Sequence, residues 1–240
     1  MRRTLMQLRA ELAVVSRNGE QLLLTLVIPL VLLGFFGSVD ILPHMTDDPL
    51  DSLVPGVLAV AIMSTSMVSL GIATGFERSY LVLKRLGATP LTRGELIGAK
   101  ALAVTCIELV QFILVMAVAF SMGWSPEWDS WMAMIAILPV ASLAFAGIGL
   151  LLAGRLKAEV NLAAQNGLYL VLLLLGGTVI PSASLPSWMG SASRVLPSHS
   201  LAEVLAAAMN GQGRILQPAL VMGAWALAAP LAAARTFRWT

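Results

Sequence analysis

A carboxyl group inside a long apolar run is the first candidate for chemistry. Glu108 has Thr105 and Gln111 three positions to either side, so the three side chains share one face of a helix. A carboxyl group in such surroundings must face protein or water, which makes Glu108 a candidate for proton or ion binding. The alternative is a protonated Glu108 that hydrogen-bonds a neighbouring helix, since no basic residue lies within any apolar run.

A serine and a histidine stand together at one other place in the sequence. His199 lies between Ser198 and Ser200, and a serine activated by a histidine is the nucleophile of many hydrolases. However, both histidines, His44 and His199, lie outside the apolar runs, and no G-x-S-x-G motif occurs. The single cysteine, Cys106, cannot form an internal disulfide, and we expect neither a catalytic nor a metal site in this chain.

The elements that position these residues are predicted to be membrane-spanning helices. Of the 240 residues, 58% are hydrophobic and 12% charged, whereas about a quarter of a soluble domain is charged. Six solidly apolar runs are each about the length that a helix needs to cross a bilayer, and they lack the alternation of outer-membrane strands. The predicted spans are 22–39, 53–76, 101–122, 131–154, 163–180 and 215–234. We therefore expect an all-α integral membrane protein, with residues 1–240 forming a single transmembrane domain.

The distribution of basic residues predicts the orientation in the membrane. Thirteen of the fifteen Lys and Arg residues lie before the first predicted span, in the second-to-third and fourth-to-fifth connections, or after the sixth span. Cytoplasmic flanks collect Lys and Arg, so both termini are predicted to be cytoplasmic. The charges form no patch with aromatic residues, so nucleic-acid binding is not expected. Twelve Arg against three Lys hints at a GC-rich bacterial genome, hence a bacterial plasma membrane.

Residues 1–20 are predicted to form an amphipathic helix at the inner leaflet. One face carries apolar side chains at helical spacing, namely Leu5, Leu8, Leu12 and Val15. The opposite face is predicted to carry Arg2, Arg9 and Glu11. Such a helix contacts membrane lipids or a partner. Asn18-Gly19 is expected to end it.

Small and weakly polar residues recur at steps of four in two predicted spans. They are Ala61, Thr65, Ser69 and Ala73 in the second span, and Ala224, Ala228 and Ala232 in the sixth. Such stripes allow close helix packing, either within one subunit or at a subunit interface or translocation wall. The second-span stripe, with Thr105, Glu108 and Gln111, is the predicted translocation path or helix-packing set.

Residues 181–213 are too long for a simple turn and too apolar for a free loop. Three prolines divide the segment, namely Pro181, Pro186 and Pro197. The pieces between them carry apolar side chains, namely Trp188, Met189, Leu201, Val204 and Leu205. This pattern predicts a re-entrant or surface element of short helices on the extracytoplasmic side.

The connection between the second and third spans is basic and contains helix-breaking residues. Its sequence is ERSYLVLKRLGATPLTRGELIGAK. Gly87 and Thr89-Pro90 break a helix and Thr92 or Arg93 can restart one, which predicts a short helix, a turn and a second short helix. Its apolar side chains, Leu81, Leu83 and Leu86, stand beside Lys84 and Arg85. This mixture is typical of a docking site for a cytoplasmic partner. The alternative is a loop that rests on anionic headgroups.

This loop resembles that of the type 2 ATP-binding-cassette (ABC-2) exporter permeases, where a stretch near ERERGTLKRLRATPL joins the second and third spans. The matching residues are Glu77, Arg78, Leu83, Lys84, Arg85, Leu86, Ala88, Thr89, Pro90 and Leu91. The positions that differ are Ser79, Tyr80, Leu81, Val82 and Gly87. Leu185-Pro186 and Leu196-Pro197 also resemble paired elements that precede the last span in that family.

The resemblance implies the membrane-spanning permease of an ATP-driven exporter. It implies that the matching loop residues, together with Arg93, couple to a separate P-loop ATPase that binds ATP and Mg, with no cofactor on this chain. A second permease subunit, identical or a sister chain, is implied as well, and a drug, a lipid or a glycan as substrate.

The sequence agrees with a separate ATPase and leaves two alternatives open. A Walker A loop needs Gly-Lys followed by Ser or Thr, but Lys84, Lys100 and Lys157 follow leucine or alanine. One alternative is an ion-coupled secondary transporter that uses Glu108, although no internal repeat between the halves is evident. An intramembrane hydrolase is the less favoured alternative.

Overall fold

The computed structural model describes residues 2–38, 49–127, 130–176, 187–211 and 215–237. Within these ranges every regular element is a helix, so the all-α prediction is confirmed. Some predicted features lie outside the described residues: Val39, His44, Ile180, Pro181, Leu185-Pro186 and the side chains of Arg2, Trp188 and Met189.

Six helices of the described chain are long and apolar enough to cross a membrane. Five are continuous, namely α2 (Gly19–Ser38), α6 (Arg93–Ser121), α7 (Trp131–Ala153), α8 (Ala158–Leu175) and α11 (Leu216–Thr236). The second span is composite. It consists of α3 (Pro49–Met63), a π-helical segment (Ser64–Ser69) and α4 (Leu70–Ser79). A π-helix has more residues per turn than an α-helix, so residues four apart do not stay on one face there.

Four further helices lie outside the spans: α1 (Arg2–Arg17), α5 (Val82–Gly87), α9 (Ser187–Ser193) and α10 (Pro197–Asn210). Asn18 separates α1 from α2, as its position before Gly19 predicted. Helices α9 and α10 lie within residues 181–213, the segment for which short helices are predicted. The apolar residues of α10, Leu201, Val204 and Leu205, are buried in the main hydrophobic core with residues of α3 and α7.

The fourth and sixth spans pack closely because one of them lacks a side chain at the contact. A Cβ atom on Gly147 of α7 would lie 2.5 Å from the backbone nitrogen of Pro230 in α11. Only glycine permits this approach. The buried small residues of α11 are Ala226, Ala229 and Ala233. The predicted stripe of Ala224, Ala228 and Ala232 lies on the more exposed side, so it is not the face that packs against α7.

The first span packs loosely against the remainder of the bundle. In α2 only Pro29 and Leu33 are buried, whereas Leu23 and Val31 are each 59% exposed. An exposed apolar face of this kind is compatible with lipid or with another membrane subunit, since neither requires polar side chains.

Candidate functional site

The loop between the second and third spans begins with a sharp corner after α4. Leu81 has φ 61°, in the left-handed region that non-glycine residues rarely adopt. This conformation turns the chain into α5, which ends at Gly87 as predicted. The predicted second short helix is not separate, because α6 runs without a break from Arg93 to Ser121. The loop is therefore one short helix and a turn that leads directly into the third span.

A capping box fixes the point where the chain re-enters a helix. The backbone N–H of Glu95 donates to Thr92 Oγ1 at 3.2 Å, and the backbone N–H of Thr92 donates to Glu95 Oε2 at 2.8 Å. These bonds satisfy N–H groups that the first turn of a helix leaves unpaired. Threonine at this position with glutamate three residues later is a local signal, which explains why the start at Thr92-Arg93 could be predicted.

The structure divides the predicted coupling residues into an exposed group and an internal group. The exposed members are Lys84, Arg85, Ala88, Thr89, Pro90 and Arg93. Those that are buried or half-buried are Glu77, Arg78, Leu83, Leu86 and Leu91. A partner can contact only the exposed group without rearrangement. The internal group instead holds the loop in place.

Part of the apolar surface predicted to need a partner is covered by this chain itself. Leu83 is fully buried and packs with Leu96 and Phe237, and Leu86 and Leu91 pack against this cluster. Phe237 follows α11, so the end of the last span packs beneath the loop. Leu83 therefore needs no partner to cover it, whereas Leu81 is exposed.

An exposed apolar surface does remain at the corner between α4 and α5. Tyr80 is 72% exposed, Leu81 52% and Val82 40%. These three consecutive residues adjoin the exposed cations Lys84 and Arg85. They are positions at which this loop differs from the family stretch, so the resemblance did not identify them as contact residues.

Arg78 joins the loop to the connection between the fourth and fifth spans. Its guanidinium donates to Ala153 O and Leu156 O, each at 3.0 Å, at the end of α7. A cation that binds the last carbonyls of a helix stabilises that end. Arg78 therefore has an internal role at the base of the loop.

Glu77 also has a partner within the chain, in a contact that the sequence did not predict. Lys100 Nζ lies 3.0 Å from Glu77 Oε1 and 3.0 Å from Glu11 Oε2. Glu11 faces the protein, so the prediction that it lies on the face of α1 opposite the apolar side chains is wrong. Leu5, predicted to share the inner face, is 53% exposed. The only signal in the sequence was a lysine at the edge of an apolar run, with no indication of its partners.

The predicted path residues take part in hydrogen bonds between the first three spans. Thr65 Oγ1 donates to Gln111 Oε1 at 3.2 Å, and Gln111 Nε2 donates to the carbonyl of Thr25 at 2.7 Å. Ser69 Oγ accepts from Gln21 Nε2 at 2.6 Å. These bonds join α2, the π-helical segment and α6.

The remaining members of the predicted path set behave differently from one another. Ala61 is buried and Ala73 half-buried. Thr105 donates to Ala101 O of its own helix at 2.9 Å, so it joins no other span.

A shallow, open polar cavity of about 400 Å³ lies beside this group at the N-terminal end of α2. Its lining residues are Asn18, Glu20, Gln21, Leu24, Thr25 and Ser69. Thr25 and Ser69 belong both to the cavity and to the hydrogen bonds between the spans. The hydrogen-bonded residues that join the three spans are therefore accessible through this cavity.

Glu108 is 1% exposed and its carboxyl group contacts the hydroxyl of Ser142 in α7. Ser142 Oγ also donates to Leu138 O at 2.8 Å. Among the described residues, Glu108 Oε1 has no hydrogen-bond partner and no cation pairs with the carboxyl group. Its neighbours are neutral groups of adjacent helices, an arrangement that suits a hydrogen bond between spans.

The serine–histidine pair has no catalytic geometry in the part of the chain that the structure covers. His199 Nε2 lies 3.1 Å from Glu203 Oε1, and Ser200 Oγ donates to Leu196 O. A hydrolytic site needs the serine within hydrogen-bond reach of the histidine. The described residues include no group of three His, Cys, Asp or Glu side chains that could hold a metal ion.

Two comparisons with known proteins identify the family of this six-span chain. A model of the ABC-2 type transporter family matches residues 3–210, from α1 to the end of α10. The chain is also similar to YvfS of Bacillus subtilis (strain 168), which is named as a transport permease. The two are 26% identical over 195 residues, covering 79% of this chain and 78% of that protein. The chain therefore belongs to the ABC-2 type transporter family.

Proposed function

We propose that this chain is the membrane-spanning permease subunit of an ATP-driven exporter and that a separate P-loop ATPase docks on its cytoplasmic loop. The observation that carries the proposal is the exposed, mixed apolar and basic surface of that loop. We define the coupling surface as Tyr80, Leu81, Val82, Lys84, Arg85 and Arg93. A partner can reach these residues as well as the exposed turn residues Ala88, Thr89 and Pro90, whereas Glu77, Arg78 and Leu83 are engaged within the permease.

The chemistry of the coupling surface indicates what its partner must offer. Three cations favour an acidic rim on the ATPase, and the exposed side chains of Tyr80 to Val82 favour an apolar groove. ATP and Mg belong to that partner. The membrane is a bacterial plasma membrane, and both termini lie on the cytoplasmic side with the coupling surface.

The translocation path lies between this subunit and a second permease subunit, either identical or a sister chain. The exposed apolar face of α2 suits such an interface, and the polar cavity opens beside it. The cavity, Thr65 and Gln111 offer hydrogen bonds within apolar surroundings. A drug, a lipid or a glycan carries polar groups that could use them. Helices α9 and α10 form the re-entrant element on the exit side.

The proposal is tested by reversing the charge of the coupling surface. The chain is tagged, purified gently from its native membrane, and its partners are identified by mass spectrometry. The wild-type permease should carry a stoichiometric P-loop ATPase. Combined Lys84→Glu, Arg85→Glu and Arg93→Glu should lower the recovered ATPase at least about tenfold, since like charges across an interface oppose docking.

A matched control reverses exposed cations on the neighbouring cytoplasmic connection. Arg155→Glu with Lys157→Glu changes the net charge in the same direction at a site outside the coupling surface, and it should leave ATPase recovery near the wild-type level. A folded wild-type permease that carries no ATPase in several detergents would contradict the proposal.

An ion-coupled secondary transporter is the second candidate, favoured by one observation. Glu108 is buried with one carboxyl oxygen unpartnered among the described residues, as in a site that exchanges protons. Transport driven by a proton gradient without ATP, and abolished in Glu108→Gln, would favour this candidate over the exporter.

A further inference from the structure

A buried lysine joins three helices at the cytoplasmic base of the protein. The side chain of Lys100 is 1% exposed, and its ammonium group lies 3.0 Å from Glu11 Oε2 and 2.9 Å from Glu77 Oε2. The other oxygen of Glu11 accepts from Gln7 Nε2 at 2.8 Å. Without the ammonium group, two carboxylates would face each other in a largely buried place. The ammonium group therefore holds both carboxylates, and the helices that carry them, at one point.

The same ion pair closes the loop at its base. Glu77 lies in the last turn of α4, just before the loop. Lys100 lies in the second turn of α6, the helix that follows the loop. A contact between them fixes the distance between the two ends of residues 78–99. Glu11 brings α1 to this same point.

Helix α1 also reaches the turn at the far end of the loop. Arg3 Nη1 donates to the carbonyl of Pro90 at 2.8 Å. Arg3 and Glu11 are eight residues apart, about 12 Å along an α-helix. One helix thus contacts the loop at its turn and at its base. A helix of this length does not stretch, so the loop cannot move far without moving α1 or breaking one of these contacts.

We infer that Glu11, Lys100 and Glu77 make α1 and the loop one rigid unit, so that motion imposed on the coupling surface moves the amphipathic helix at the inner leaflet. The inference rests on the proposed function. It makes Glu77 a positioning residue within the permease, whereas the resemblance grouped it with residues that couple to the ATPase. Lys100 and Glu11 become positioning residues of the same kind.

The first test uses hydrogen exchange of the purified permease without any ATPase. Glu11→Ala removes the charge on α1 and leaves Lys100 and Glu77 as a balanced pair, so the spans stay folded. Amides of residues 2–17 should exchange about tenfold faster, with α4 and α6 unchanged. Glu20→Ala, which removes an exposed carboxylate at the start of α2, is the matched control and should leave α1 protected. Unchanged exchange of α1 in Glu11→Ala would overturn the inference.

The second test asks whether the unit moves as one. In the permease–ATPase complex, exchange is compared without nucleotide and with ATP and vanadate. In the wild type, α1 and residues 78–92 should change protection together. In Glu11→Ala the loop should still respond, but residues 9–17 of α1, which lie away from the remaining Arg3–Pro90 contact, should not, an outcome that a merely structural role of the triad would not produce. A joint response in Glu11→Ala would overturn the inference.

The two tests fail for different reasons. If no ATPase accompanies the wild-type permease, the proposed function fails, and the first test still decides whether the triad holds α1. If the ATPase binds and α1 exchanges normally in Glu11→Ala, the triad has no positioning role while the proposed function stands.

Discussion

The base of the bundle, on the side of the loop between the second and third spans, and the interior of the bundle join their helices with different polar groups. At the base, Lys100 lies between two carboxylates. In the interior, Asn161 and Gln165 of α8 donate side-chain N–H groups to Gly71 O and Gly149 O at 2.9 and 2.8 Å. Charges that separate at the base can be hydrated, whereas amides and carbonyls that separate in hydrocarbon cannot. The difference predicts that the base tolerates small substitutions better than the interior does.

The largest expected effect comes from a single methyl group in the interior. A Cβ atom on Gly149 would lie 2.5 Å from the carbonyl oxygen of Met67, so Gly149→Ala must displace the backbone of the π-helical segment. We expect a loss of about 3 kcal/mol, the upper part of the range for overpacking. The measurement is the fraction of monodisperse protein after heating. Gly167→Ala, at a glycine with open space around it, should be neutral or slightly stabilising.

A smaller loss is expected when one interior amide is removed. Asn161→Leu keeps a similar volume and leaves Gly71 O without its donor, which costs about 2 kcal/mol when the group is buried. Asn166→Leu is the matched control, because Asn166 is exposed and its side chain donates to Leu162 O of its own helix. Equal thermal stability of the two variants would contradict the distinction between base and interior.

The smallest expected effect is at the base, in the capping box of α6. Thr92→Ala removes the side-chain acceptor of the Glu95 N–H and should cost about 1 kcal/mol. Thr92→Ser retains the acceptor and should behave as the wild type. Thermal midpoints of the purified permease measure the difference, and a loss in Thr92→Ala as large as that in Asn161→Leu would show that the base is no more tolerant than the interior.

Features set by local sequence were predictable. Long apolar runs predicted six helices, Asn18-Gly19 predicted the break after α1, and Gly87 and Thr92 predicted the end of α5 and the start of α6. The breaks and caps depend on residues within about one helical turn, where propensity and capping act. The loop was also recognised from a contiguous stretch of residues.

Features set by distant partners were not predictable. Glu11 and Lys100 are 89 residues apart, so the periodicity of α1 alone placed Glu11 on the wrong face. The prediction based on a spacing of four in the second span assumed a regular α-helix. It therefore missed the π-helical segment Ser64–Ser69. Which leucines of the loop stay exposed likewise depends on a distant residue, because Phe237 covers Leu83.

The packing of Phe237 beneath the loop also sets an order of events during synthesis. Phe237 leaves the ribosome about 140 residues after Leu96, which at about 5–20 residues per second is a delay of roughly 7–28 s. During that interval Leu83 and Leu96 lack their aromatic cover, so the nascent loop is open to chaperones or proteases. The surface on which we propose the ATPase docks is thus completed only after the last span has been translated, and unfinished chains present an altered version of it.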